Sequence, residues 1–168
     1  MTKVSKKSSK EESSSKKSKT SSSSSEKTEI SYEDRVKNVS EIASPLASKK
    51  MTKKVLKTVK QATSSKQLRR GVKEVIKALR KKETGVVVFA GDISPIDVIS
   101  HIPVLCEDNS VPYVFVPSRE DLGAAGATKR PTSVIMLPNP NKKLDSSYAS
   151  AHSELVTEVK ELPSVLQA

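Results

Sequence analysis

Cysteine occurs once in this 168-residue chain and histidine twice. A single thiol, Cys106, closes no internal disulfide, so a reducing compartment is its simplest home and packing as a small apolar residue its simplest role. A catalytic thiol would want a basic partner, and the spacing of His101 and His152 points to none. Two histidines and one cysteine offer no metal cluster either, so no metal ion or other cofactor is expected. No apolar run approaches the roughly 20 residues that a membrane span needs, and no signal-peptide pattern opens the chain. The expectation is a soluble, intracellular protein without membrane contact.

Apolar residues are also scarce in residues 1–29, which hold 12 Ser, 8 Lys and 4 Glu. So little apolar surface does not offset the entropy of ordering a chain, and this Lys/Ser-rich segment is expected to be a disordered tail. Lysine pairs such as Lys6-Lys7 and Lys16-Lys17 suit weak RNA holding, nuclear import or a plain solvated spacer. Ser8, Ser9 and Ser23 each stand three residues before a Glu, a weak signal for an acid-directed kinase. Residues 30–50, with Pro45, read as an irregular lead-in to a folded domain over 51–168.

What the chain does have is charge in one place. Residues 49–82 hold 14 of its 30 Lys and Arg and a single acid, Glu74, for a net +13 where the whole chain carries +11. Such concentration is an electrostatic footprint, and polyanionic nucleic acid is its commonest partner. Within it, Val72, Val75, Ile76 and Leu79 follow the i, i+3, i+4, i+7 spacing of a helix with one apolar stripe. Lys73, Lys77, Arg80 and Lys81 fall on the other side together with Glu74. That acid either relieves repulsion by pairing with Lys77 or accepts hydrogen bonds from a base edge while the cations hold phosphates. Gly71, lacking Cβ just before the helix, lets a phosphate approach the first amides and the positive end of the helix dipole.

Alternating helix and strand patterns follow. Residues 51–64 read as a helix with Val55, Leu56, Val59 and Ala62 on one face and lysines on the other, and residues 67–69 as a short strand. Residues 86–90 form an unbroken apolar run after Gly85, the pattern of a central strand covered on both faces. Ser94 as N-cap and Pro95 at the first helical position predict a helix through Ile96, Val98, Ile99 and Ile102 that Pro103 kinks or interrupts. Residues 111–116 and 133–137 read as strands, Ser118 with Asp121 as a capping box, and Leu155, Val156, Val159 and Leu162 as a last amphipathic helix ended by Pro163. This order implies an α/β domain with helices on both sides of a small sheet, a class that binds ligands outside the carboxyl ends of its strands. Residues 122–131, Leu-Gly-Ala-Ala-Gly-Ala-Thr-Lys-Arg-Pro, lack both the G-x-G-x-x-G order and the Gly-Lys-Ser/Thr of a P-loop. They describe instead a tight loop, suited either to packing or to bringing cations and backbone close to another surface.

Five blocks in order, Arg69-Arg70-Gly71-x-Lys73-Glu74-x-x-Lys77, Ala90-Gly91-Asp92-Ile93-Ser94-Pro95, Ile102-Pro103-x-Leu105-Cys106-Glu107-Asp108, Val111-Pro112-Tyr113 and Leu122-Gly123 through Lys129-Arg130-Pro131, resemble the L-seven-Ae kink-turn-binding family. The resemblance spans about residues 45–137 and is nearest to the branch that serves eukaryotic H/ACA ribonucleoproteins. It implies a three-layer α/β/α sandwich with a small mixed sheet that performs no chemistry itself. It further implies RNA contact by Arg70, Gly71, Lys73, Glu74 and Lys77 on the helix and by Thr128, Lys129 and Arg130 on the loop, with Ile93 and Val98 against an extruded base. At position 73 strict kink-turn readers carry Asn. An ammonium there donates only, trading base-edge reading for phosphate attraction. The branch implies as partners an H/ACA guide RNA, a small bridging nucleolar protein and the pseudouridine synthase subunit, and as location the nucleus and nucleolus. Two rivals stand beside it: a ribosomal protein of the same family, and an enzyme using Asp92 or Asp97 with His101, for which no motif places a further acid-base partner.

Overall fold

A computed structural model describes residues 32–140 and 146–162. The expected tail, residues 1–29, and Pro163 lie outside the described residues. The sheet is built on Gly85–Ala90 (β2), whose six residues, Gly-Val-Val-Val-Phe-Ala, are all buried. β-Branched and aromatic side chains suit a strand, and one covered on both faces can be apolar throughout. On one side β2 pairs in parallel with Tyr113–Val116 (β3), Val87 opposite Tyr113 and Ala90 opposite Val116. On the other it pairs antiparallel with Val134–Pro138 (β4), Phe89 opposite Val134. The two-residue strand Arg69–Arg70 (β1) pairs with β4, giving the order β1-β4-β2-β3.

The helices are Tyr32–Val36 (α1), Lys49–Ser64 (α2), Val72–Arg80 (α3), His101–Asp108 (α4), Arg119–Ala125 (α5) and Ser146–Lys160 (α6). α2 packs against α5 and α6, and α3 against α4. The mixed sheet lies between these groups, which is the α/β/α sandwich that the family resemblance implied. In the core Phe89 stacks on Phe115 at 4.9 Å, and Tyr113 meets both edge-on at 5.8 and 6.1 Å. Val55, Val59 and Leu79 carry the apolar stripes of α2 and α3 into the same core with no exposed surface. Each such side chain stabilises the fold by about 1.5–3 kcal/mol.

Three local expectations differ. The lead-in, residues 30–50, is not irregular: it contains α1 and then runs along β3. The amide of Ala47 donates to the carbonyl of Phe115 at 2.8 Å, and the amide of Phe115 to that of Pro45 at 2.9 Å. An edge strand must satisfy its outer amides and carbonyls, and the small buried side chains of Ala43 and Ala47 let this segment approach closely enough to do so. α2 accordingly begins at Lys49, where the Ser48 hydroxyl accepts from the amide of Met51 at 3.4 Å. Second, Ser94 caps no long helix. A single 3-10 turn, Ile96–Val98, follows Pro95, and α4 begins only at His101. Pro103 then sits in the first turn, where a missing N–H breaks no helical hydrogen bond. Third, residues 122–125 belong to α5, so the loop is confined to 126–133. The Ser118 hydroxyl does cap α5, accepting from the amide of Asp121 at 3.3 Å, while the Asp121 carboxylate pairs with Arg35.

Candidate nucleic-acid interface

Three connections converge at the carboxyl ends of the parallel strands. The amide of Ala90, ending β2, donates to the carbonyl of Ser133 at 2.9 Å. That of Gly91 donates to Val116, ending β3, at 2.7 Å, and that of Gly71 to Val134, opening β4, at 2.9 Å. The start of α3, the turn after β2 and the loop before β4 are therefore joined by single hydrogen bonds.

Gly71 adopts φ 88° and ψ 158°, a conformation that side chains with a Cβ rarely reach. A Cβ built there would meet nothing within 4 Å, so the space before the helix is open. Val75, Ala78 and Leu79 face the core, whereas Lys73, Glu74, Lys77 and Arg80 are exposed. The first amides of a helix have no acceptor within it, and here they face no capping side chain. Within the chain Glu74 serves the backbone: its Oε2 accepts from the amide of Arg70 at 3.0 Å, tying β1 to the first turn of α3. Among the described residues it makes no ion pair with Lys77. With Arg69, Lys77, Lys81 and Glu83 it lines a hollow of about 230 Å³.

The loop over 126–133 is held from within. The Thr128 hydroxyl donates to the carbonyls of Gly123 at 3.0 Å and Arg130 at 2.8 Å. A Cβ on Gly123 would lie 2.4 Å from the Arg130 carbonyl oxygen, so only glycine permits this closure. Thr128 thus shapes the loop, and Lys129 and Arg130 are exposed on it. Among the described residues, Lys73, Lys77, Arg80, Lys129 and Arg130 have no acid partner within 4.0 Å.

The two apolar candidates separate. Val98 is 40% exposed, but Ile93 is 7% exposed and belongs to the core, which removes it as a surface contact in this conformation. Beside Val98 stands Ile96, 39% exposed, which the sequence placed in a helix running on through Ile102. An apolar residue in a 3-10 turn has no helical face to hide on; the Pro95-Ile96 pair was the available signal.

Asp92, near this end, has a structural task. Asp92 accepts from the amide of Arg119 at 2.8 Å and so fills the start of α5 with its own carboxylate. Burial raises its pKa, opposed by that hydrogen bond and by the Arg119 charge. Cys106 is fully buried, and burial, aided by Glu107, pushes its thiol up to about 12, as befits packing. Among the described residues no group of three His, Cys, Asp or Glu could hold a metal, and no helix is long and apolar enough to cross a membrane.

Residues 53–146 match the model of the ribosomal protein L7Ae/L30e/S12e/Gadd45 family. The chain belongs to this family. The matched span contains α3, the turn after β2 and the loop before β4. The chain is similar to the H/ACA ribonucleoprotein complex subunit 2 of Bos taurus, 48% identical over 135 residues that cover 80% of this chain and 85% of the relative. The H/ACA ribonucleoprotein complex subunit NHP2 of Saccharomyces cerevisiae is 64% identical over 91 residues, 51% of this chain and 58% of that protein. Among solved structures, a Giardia lamblia 15.5kD RNA binding protein superposes with a TM-score of 0.68 at 30% identity, covering 74% of this chain and all of the other.

Proposed function

We propose that this protein is a non-catalytic RNA-binding core subunit of an H/ACA ribonucleoprotein. The observation that carries the reading is that unpaired, exposed cations, Lys73 and Lys77 on α3 and Lys129 and Arg130 on the loop, stand on two segments that backbone hydrogen bonds tie to the sheet at Val134 and Ala90, with an open helix start at Gly71. Phosphates are drawn to the cations and to the first amides of α3, which sets position without reading sequence. Glu74, fixed through one oxygen by the Arg70 amide, keeps acceptor capacity on the other for a base amino or imino group. Ile96 and Val98 offer apolar surface to a base turned out of its stack. The names of the relatives from Bos taurus and Saccharomyces cerevisiae supply the particle.

Its RNA partner in this reading is an H/ACA guide RNA. Its protein neighbours are a small bridging nucleolar protein and, through it, the pseudouridine synthase subunit, and the particle works in the nucleus and nucleolus. Lys73, a donor without acceptor capacity, makes recognition of RNA shape looser and leaves part of the placement to the protein neighbour. Tagging the full chain in cells and sequencing the copurified RNA tests this: guide RNAs are expected. Recovery of large-subunit ribosomal RNA in steady-state ribosomal fractions instead would make it a ribosomal member of the family.

A further inference from the structure

The +13 charge of residues 49–82 does not form a single patch. α3 packs on α4 and β1, whereas α2 packs on α5 and α6. On α2, Lys49, Lys50, Lys53, Lys57 and Lys60 are all exposed, and among the described residues none has an acid within 4.0 Å. Only Lys54 is paired, with Glu158. At 3.6 residues per turn the five free lysines fall within an arc of about 100° and run along roughly 16 Å of helix.

This ridge works against its own helix. Like charges at i, i+3 and i, i+4 destabilise a helix, and cations in a first turn oppose its dipole. The sequence of α2 contains no acid to relieve either effect. A solvated face would mix the two signs, so the ridge asks for a polyanion. A lipid surface does not fit, because a membrane-binding helix needs a free apolar face. The apolar face of α2, Val55, Val59 and Ala62, has no exposed area.

The helix that carries the ridge also touches the element that leads into the interface already described. The Thr63 hydroxyl, one turn beyond Lys60, reaches the carbonyl of Ala125 at 3.3 Å, and Ala125 leads directly into the loop that carries Lys129 and Arg130. Lys49, Lys53 and Lys60 line, with Leu56, Ala124 and the Arg35–Asp121 ion pair, a hollow of about 400 Å³. The geometry points to a second RNA surface on α2, whose lysines hold the phosphate backbone of the same RNA after it passes the loop. This rests on the RNA-binding reading above and adds to it a site that α3 does not share.

The test uses the full chain, a variant combining Lys53→Gln, Lys57→Gln and Lys60→Gln, and two RNAs. One is a short kinked stem-loop sized for the α3 end; the other has an added helical turn on each stem. On the long RNA the slope of log K against log salt should lose about two to three units in the variant, close to one per lysine removed. On the short RNA it should be unchanged. Replacing the same three lysines by Arg should keep wild-type binding to both, and the Gln variant should melt no lower than wild type. Equal slopes for variant and wild type on the long RNA would overturn the second surface. Equal losses on both RNAs would overturn it too, as only a diffuse field would remain. Failure of the wild-type chain to bind either RNA would instead strike the proposed function, and this inference with it.

Discussion

The carboxylate of Glu74 accepts the backbone amide hydrogen of Arg70 at 3.0 Å, closing the turn between β1 and α3 across the glycine that separates them. The bond anchors the acid at the positive end of the helix and fixes which oxygen is left for a ligand. Replacing Glu74 by Ala frees that amide and removes a charge favourable to the dipole. A loss of about 1 kcal/mol in urea denaturation is expected. Glu74→Gln keeps an acceptor for the amide and should recover most of that stability. If the second oxygen reads a base, Gln will still fail to restore discrimination between a kink-turn and an irregular stem-loop. Recovery of both by Gln would make the residue a turn clasp and nothing more.

Gly71→Ala separates strain from collision. A Cβ at this position touches nothing, yet φ 88° with ψ 158° is a region nearly restricted to glycine. The fold should lose about 1–3 kcal/mol from backbone strain alone. RNA affinity, measured at a temperature where the variant is fully folded, should drop further, because the methyl group stands in the open space before the α3 amides. Affinity equal to wild type would show that no phosphate enters there.

The elements that local pattern alone can specify were legible. The unbroken run of β2, the apolar stripe of α3 and the Ser118 cap of α5 depend on neighbours within a few residues, and each is present. What was hidden depends on partners far along the chain. Ala47 bonds to Phe115, and Asp92 bonds to Arg119; neither pairing leaves a period or a cap in the sequence. The same holds within the site. The cations of α3 were readable as a face, but the inward position of Ile93 and the exposure of Ile96 follow from a 3-10 turn that the Ser-Pro pair disguised as a longer helix.

Thr128 tests whether the loop acts through its shape. Its hydroxyl serves the carbonyls of Gly123 and Arg130, so Thr128→Val removes both bonds at nearly constant volume. The expected stability loss is on the order of 1 kcal/mol. RNA binding should weaken although the side chain need not touch RNA, because Lys129 and Arg130 lose their fixed backbone. Thr128→Ser, which keeps the hydroxyl, should restore both properties. A Ser variant that folds like wild type but binds like Val would show that the methyl group is needed as well as the hydroxyl.

His152 gives the fold a pH dependence. It is buried, with Nε2 3.3 Å from the carbonyl oxygen of Leu137, and burial lowers its pKa despite that carbonyl. The unfolded chain therefore takes up a proton at a higher pH than the folded one does. Stability from this residue is complete above its ordinary value near 6.5 and is lost as pH falls from there toward the lower folded value. Melting temperature should decline across that window, and His152→Gln should flatten the decline while lowering stability at pH 8. An undiminished slope in the Gln variant would assign it to other groups.

Lys73 decides how sharply the α3 end reads RNA. It is exposed in the first turn, one residue before Glu74, and has no acid partner among the described residues. An ammonium there attracts any phosphate, while an amide both donates and accepts and so matches a base edge. Lys73→Asn should therefore lower overall affinity and reduce the salt slope by about one unit. It should also raise the preference for a kink-turn over an irregular stem-loop of equal length by about 1–3 kcal/mol, the value of one good base contact. Binding of both RNAs at several salt concentrations separates the two effects. Adding Glu74→Ala to Lys73→Asn should erase the gain, since an anchored acid beside the amide completes the base contact. If Lys73→Asn weakens both RNAs equally, position 73 touches phosphate alone, and discrimination must come from the loop around Lys129 and Arg130 or from a protein neighbour.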